Sequence, residues 1–263
     1  MVAFGRGPAD LPFHRFGTGQ RRLVLIPGVM DSLGWNTPRR LTAELLARYY
    51  FRSYRAYDVW VLSRPPGLRG AETVTEMAAM YEDALEAVGP SAVMGMSLGG
   101  YVAAILARES PHVEKLVLVG CGTTLGDSGR QTVRRWRALA SNRAYGVLHL
   151  DYARTVYAGW RGHVLPPLYR LGARWLPEPA VPGDVETSCD AVLSFEGEEL
   201  FEDVSVPTLV VGGDQDELVP VANQRDAATL FPDGRQALFA AGHAVYEERR
   251  SAVSKTVTAF LDA

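Results

Sequence analysis

The chain has 263 residues, 47% of them hydrophobic, 10% aromatic and 22% charged, which fits one large globular domain or a domain with an insertion and excludes a disordered or collagen-like chain. Twenty-seven Lys and Arg against 30 Asp and Glu leave a net charge of -3, so there is no global basic field to hold a nucleic-acid backbone. Cys121 and Cys189 lie far apart with no C-x-x-C pairing, and neither a membrane-length apolar run nor a secretory leader pattern occurs, so the expectation is a cytoplasmic protein without stable membrane insertion.

From residue 21 to about 120, short apolar runs alternate with helical periodicity, the rhythm of a parallel sheet with crossover helices. The runs are Leu23–Ile26, closed by Pro27-Gly28; Val59–Leu62, closed by Ser63-Arg64-Pro65-Pro66-Gly67; Ala92–Met96; and Leu116–Val119, closed by Gly120. Each is too short for a buried helix and is bounded by turn residues. Helical periodicity covers about 37–50, 73–88 and 98–109, the last with Leu98, Val102, Ile105 and Leu106 on one face. After Gly120 the rhythm breaks, and residues 122–203 are rich in aromatics and prolines with no clear central strand. Alternation resumes with Thr208–Val211, a helix pattern at about 220–231, a run at Ala237–Ala240 and a last helix striped by Val253, Val257, Phe260 and Leu261. The spacing predicts an α/β core over 1–121 and 204–263 interrupted by a helical cap over 122–203.

The strongest local signal is Gly95-Met96-Ser97-Leu98-Gly99-Gly100, a G-x-S-x-G pattern directly after an apolar run and directly before an amphipathic helix. A sharp strand-to-helix turn lifts a serine hydroxyl above the sheet, and only small residues fit two positions before and after it. The unpaired amides that open the helix, starting at Leu98, favour an anion there. A serine hydroxyl needs a base oriented by a third group. Of five histidines, only His243 follows a terminal strand pattern, in Ala241-Gly242-His243-Ala244. Asp214, Asp216 and Glu217 crowd the exit of the run Thr208–Val211, where an acid would stand, and at least one of them reads as only a solvated turn or helix-start charge.

Together these residues resemble the motifs of the capped α/β-hydrolase superfamily over nearly the whole chain. The resemblance implies a mostly parallel central sheet with helices on both faces and the cap inserted after the sixth strand. The family's Gly-x-x-Asp-x-x-Val-Pro segment matches Gly213-Asp214-Gln215-Asp216-Glu217-Leu218-Val219-Pro220, which selects Asp216 as the acid and leaves Asp214 in reserve. Its His-Gly-x turn aligns with Pro27-Gly28-Val29, so the backbone N–H groups of Val29 and Leu98 are the implied oxyanion-hole donors. Two departures stand out: Pro27 occupies the usual histidine position, and Ser63-Arg64-Pro65-Pro66-Gly67 replaces the usual Asp-x-x-Gly-x-Gly-x-Ser loop. A serine at position 97 also separates the chain from relatives that attack with a carboxylate.

The implied chemistry is cofactor-free: Ser97 attacks an ester carbonyl, His243 relays the proton, Asp216 orients the imidazole, and water releases the acid. A small or medium carboxylic ester, a thioester or a lactone fits it. The same triad serves C–C bond hydrolysis and acyl or peracid transfer, and a sensor that binds a small molecule with little turnover is the reading from another class. No HExxH, P-loop or GxGxxG pattern suggests a metal or nucleotide.

Within the cap, nine of the chain's 25 arginines and one acid, Asp151, lie between Arg130 and Arg174, whereas nine acids and no base lie between Leu176 and Asp203. Either the two halves face each other or core-domain charges through solvated ion pairs, or the basic half draws anionic acyl substrates or touches an interface as a lid would. Met30, Trp136, Tyr145 and Trp160 are the pocket candidates, suited to an apolar acyl or aryl group.

Overall fold

The apolar runs lie side by side in one eight-stranded sheet in the computed structural model, which describes residues 2–68, 72–172 and 175–263. In chain order, β1 (Ala3–Arg6) and β2 (Pro12–Gly17) precede β3 (Arg22–Ile26), and α1 (Arg40–Leu45) then continues into a wider π-type turn over Leu46–Tyr50. Next come β4 (Asp58–Leu62), α2 (Val74–Ala79), α3 (Glu82–Val88), β5 (Ser91–Met96), α4 (Leu98–Glu109) and β6 (Val113–Val119). Helices α5 (Asp127–Ser141), α6 (Tyr145–Val156), α7 (Gly159–Gly172), α8 (Asp184–Ser194) and α9 (Glu198–Glu202) separate β6 from β7 (Thr208–Gly213). The chain closes with α10 (Val221–Leu230), β8 (Gly234–Phe239), α11 (Val245–Glu248) and α12 (Arg250–Asp262).

The strand order is β1-β2-β4-β3-β5-β6-β7-β8, parallel from β4 to β8, with β2 antiparallel to β4 and β1 antiparallel to β2. The central strands are buried on both faces, which is why they read as continuous apolar runs. In β3, Leu23 and Leu25 face α12 and the turn after α1, whereas Val24 and Ile26 face α2, α3 and α4. The hairpin β1–β2 carries no such run, and the sequence reading passes over it; it uses polar residues, with His14 buried and Arg15 paired to Asp58 across the β2–β4 ladder.

The helix expected over 73–88 is two. A capping box at Thr73, whose hydroxyl accepts from Glu76 N while Glu76 accepts from Thr73 N, starts α2. Amides of Met80 and Tyr81 then bond the carbonyls of Met77 and Ala78, tightening the chain before α3. Helix α4 is buried from Leu98 to Ala107, so it packs into the molecule on all sides rather than along one face.

Candidate active site

Ser97 sits where β5 turns into α4, and its backbone has φ 50° and ψ −123°, a left-handed conformation that costs a non-glycine residue on the order of 1–3 kcal/mol. Three contacts hold it: Ser97 N donates to Val119 O at 2.9 Å, and Ser97 O accepts from Gly100 N at 2.7 Å and from the Cys121 thiol at 3.3 Å. The flanking glycines are required by close approach. A Cβ on Gly95 would lie 2.2 Å from Gly99 O, and one on Gly99 would lie 2.2 Å from Ile26 O, so any side chain would push α4 off β3 and β5.

His243 lies in the loop after β8, with Nε2 3.0 Å from Ser97 Oγ and Nδ1 2.8 Å from Asp216 Oδ2. When Nδ1–H donates to the carboxylate, Nε2 is left to accept the serine proton. Asp216 lies in the loop after β7, and its second oxygen, Oδ1, accepts from Leu218 N at 2.8 Å and Val219 N at 3.0 Å. The structure therefore brings together Ser97, His243 and Asp216; the reserve acid Asp214 is exposed and reaches neither. Burial pulls the His243 imidazole down, but the charge and hydrogen bond of Asp216, aided by Glu247, outweigh it and raise its pKa.

The turn that carries Val29 is pressed against the serine: a Cβ on Gly28 would lie 3.3 Å from Ser97 Cβ. Neither Val29 N nor Leu98 N, each at the first position of its helical turn, donates to a described backbone carbonyl. Arg64, fully buried, fixes this turn. Its guanidinium donates through Nη1 to Pro27 O at 2.9 Å and through Nη2 to Gly28 O, while Arg64 N donates to Asp31 Oδ2 at 2.9 Å. Burial pushes the Asp31 carboxyl up, and the Arg64 charge, its N–H and the Ser63 hydroxyl pull it back. This clamp comes from the segment that departs from the family loop, and sequence reasoning assigned it no role. A second missed strut is Glu248, whose Oε1 accepts from Gly242 N at 2.9 Å and Ala158 N at 3.0 Å and so ties the His243 loop to the segment after α6.

Ser97 and His243 open on a cavity of about 350 Å³. Trp136, His149, Tyr152, Tyr157 and Leu176 wall it from the segment between β6 and β7; Thr42, Leu45, Leu46, Tyr50 and Phe51 wall it from α1 and the turn that follows. Of the four pocket candidates, Met30 and Trp136 line the cavity, and Tyr145 and Trp160 do not. Tyr145 is buried elsewhere, and Trp160 is 64% exposed with the Arg161 guanidinium over its ring.

The two charged halves between β6 and β7 meet where α5 packs on α8: Arg137 pairs with Asp190 at 2.6 Å and Arg130 with Glu196 at 3.8 Å, all but Arg130 well exposed. Asp184 is different, being buried with its carboxylate accepting from Gly67 N and Leu68 N, both at 2.9 Å. Arg174 lies outside the described residues. Among the described residues there is no cluster of three or more potential metal-ligating side chains, and no helix is long and apolar enough to cross a membrane.

The fold has clear counterparts. An enol-lactonase from Burkholderia xenovorans LB400 superposes with a TM-score of 0.77 at 15% identity, covering 99% of this chain and 100% of that one. A pimeloyl-[acyl-carrier protein] methyl ester esterase of Aromatoleum aromaticum is 29% identical over 197 residues, 69% of this chain and 78% of its own. A segment of the polyketide synthase ThaQ of Burkholderia thailandensis is 30% identical over 270 residues, which is 97% of this chain and only 12% of that much longer protein. The model of the alpha/beta hydrolase family matches residues 23–256, which take in six of the eight strands and everything inserted between them, and this chain belongs to that family.

Proposed function

We propose that this hydrolase cleaves small-to-medium carboxylic esters through an acyl-enzyme on Ser97. The observation that carries the reading is the unbroken hydrogen-bonded relay from Asp216 through His243 to Ser97, with legs of 2.8 and 3.0 Å, at the wall of an apolar cavity. Ser97 Oγ attacks the carbonyl carbon while His243 Nε2 takes its proton; the tetrahedral oxyanion is met by the Val29 and Leu98 amides. His243 returns the proton to the leaving alcohol, and water, deprotonated by the same imidazole, releases the acid. Asp216 stays ionised, holding the imidazole tautomer and stabilising its cation. The strained backbone at Ser97 supports this role, since such conformations collect at functional sites.

The similarity to an esterase acting on a methyl ester favours a carboxylic ester over other acyl compounds. Residues 122–203 serve in this reading as the lid that walls the acyl or alcohol group, with Trp136 and Met30 as its contacts. The buried, unpaired thiols of Cys121 and Cys189 accord with a reducing, cytoplasmic setting.

The test is hydrolysis of a panel of p-nitrophenyl esters, thioesters, lactones and vinylogous diketones by the wild type and Ser97→Ala. Ester turnover that vanishes with Ser97, with an acyl adduct on that residue by mass spectrometry, is the expected result. Turnover of diketones alone would move the assignment to C–C hydrolysis, and binding without any turnover would move it to a sensor.

A further inference from the structure

One carboxyl in the cavity is not a hydrogen-bonded member of the relay. Glu247, on the short helix α11 four residues after His243, lines the cavity, and its carboxyl makes no hydrogen bond or ion pair to another described side chain. It is half-buried, and burial pushes its pKa up, with a hydrogen bond from its own backbone N–H and the His243 and Arg250 charges pulling back and Glu248 adding to the rise.

The charges around it are few. No lysine or arginine lines the cavity among the described residues. Two histidines on its wall, His14 and His149, are pulled down by burial, His14 to about 4, and stay neutral near neutral pH. Asp31, the other carboxyl on the wall, is taken up by Arg64 N and its guanidinium. Arg250 stands off with its guanidinium 4.0 Å over the Tyr49 ring and 5.0 Å over that of Tyr50. A half-buried carboxyl on the wall of an apolar cavity, with only its own backbone N–H as a donor and no salt-bridged cation among the described residues, is left to be met by whatever occupies the cavity.

We infer that Glu247 selects substrate charge: the part of the ester that lies against it is uncharged or cationic and offers a hydrogen-bond donor, a hydroxyl, amide or ammonium, and carboxylate-bearing esters are rejected. The inference names the substrate class of the serine-hydrolase reading and rests on it. It also separates the two charge features of the molecule, since the helices α5 and α6 wall the cavity with Trp136, His149 and Tyr152 while none of their arginines is on its lining.

The experiment compares matched p-nitrophenyl esters ending in an ammonium, a carboxamide or a carboxylate, at short, medium and long acyl lengths, with wild type, Glu247→Gln and the exposed-surface control Glu199→Gln. The wild type prefers ammonium over carboxylate, and in Glu247→Gln the ratio of their kcat/KM values falls by roughly tenfold or more, about 1.4 kcal/mol, while Glu199→Gln keeps it. A ratio unchanged within about twofold in Glu247→Gln at every length would overturn the inference. Should no ester be turned over in a Ser97-dependent way, the hydrolase reading fails separately. The charge preference is then read by calorimetry, as binding of the matched amino, amide and carboxylate alcohols to Ser97→Ala protein with and without Glu247→Gln. Loss of an ammonium preference upholds the inference; equal binding of both charges overturns it.

Discussion

The two walls of the cavity are built by different physics. On the core side the groups that set the relay and the Val29 turn are fixed by buried and part-buried polar bonds: Arg64 to the carbonyls of Pro27 and Gly28, Leu218 N and Val219 N to Asp216, Gly242 N to Glu248. On the side of the segment between β6 and β7 the wall is aromatic, and its charged pairs, such as Arg137 with Asp190, stand in solvent. Buried polar bonds fix one geometry because leaving any of them unmade is costly, whereas aromatic packing and exposed pairs tolerate rearrangement. Chemistry should therefore fail when the core wall is altered, and selectivity should shift when the other wall is.

The largest effect is expected at Asp216. Asp216→Asn keeps the shape but puts a donor against His243 Nδ1, disfavouring the tautomer that leaves Nε2 free, so kcat should fall by on the order of 10³- to 10⁴-fold. Asp214→Asn, at an exposed position, should stay within about twofold, a difference within ordinary surface-substitution effects. A steady-state comparison of both variants decides it, and the reverse ranking would mean that the relay is not the working acid.

Next is the clamp on the turn that carries Val29. Arg64→Lys keeps a positive charge beside Asp31 but loses the fork that reaches two carbonyls, so the Val29 amide is no longer held where the proposed mechanism needs an oxyanion donor. The expected loss is roughly 10²-fold in kcat with KM little changed, the size of losing one oxyanion donor. Thermal unfolding of the same protein checks that the folded fraction is intact, and a rise in KM at constant kcat would place Arg64 in binding rather than in positioning.

The pH profile probes the same wall. In the proposed mechanism His243 must be neutral to take the Ser97 proton, so kcat/KM should fall as pH drops through its pKa. Because that pKa lies above the ordinary histidine value of 6.5, the acid limb should have its midpoint above 6.5. A midpoint below it, measured with a neutral ester, would mean that burial outweighs the charge of Asp216.

The same contrast decides what could be read from the sequence. Strands β3 to β7 announced themselves because burial on both faces demands unbroken apolar runs, and Ser97 did because the glycines around it answer a local steric demand. His243 and Asp216 were legible by position at strand exits, aided for Asp216 by its match to a family segment. Arg64 was not: a guanidinium that holds two carbonyls some 37 residues earlier is recognisable only once β3 and β4 lie side by side. The β1–β2 hairpin was hidden because it buries a histidine where an apolar residue would have marked the alternation. Tyr145 and Trp160 were proposed for the pocket because they are aromatic. Aromatic type gives no direction, and the packing of α6 and α7 turns both away from the cavity.

The smallest effect tests the outer wall. Arg137 and Asp190 are each nearly half exposed, so their 2.6 Å pair gains little over two hydrated charges and costs side-chain entropy to hold. Arg137→Gln should lower stability by no more than about 0.5–1 kcal/mol in chemical denaturation. If the arginine-rich half drew anionic esters to the cavity, the same substitution would also lower kcat/KM for a carboxylate ester more than for its carboxamide. With Glu247 setting the charge inside, the carboxylate-to-carboxamide ratio should instead be untouched by Arg137→Gln at low salt, where surface fields reach furthest. A salt-sensitive change in that ratio would show that the outer wall also takes part in selection and that the division between the two walls is less sharp than the structure draws it.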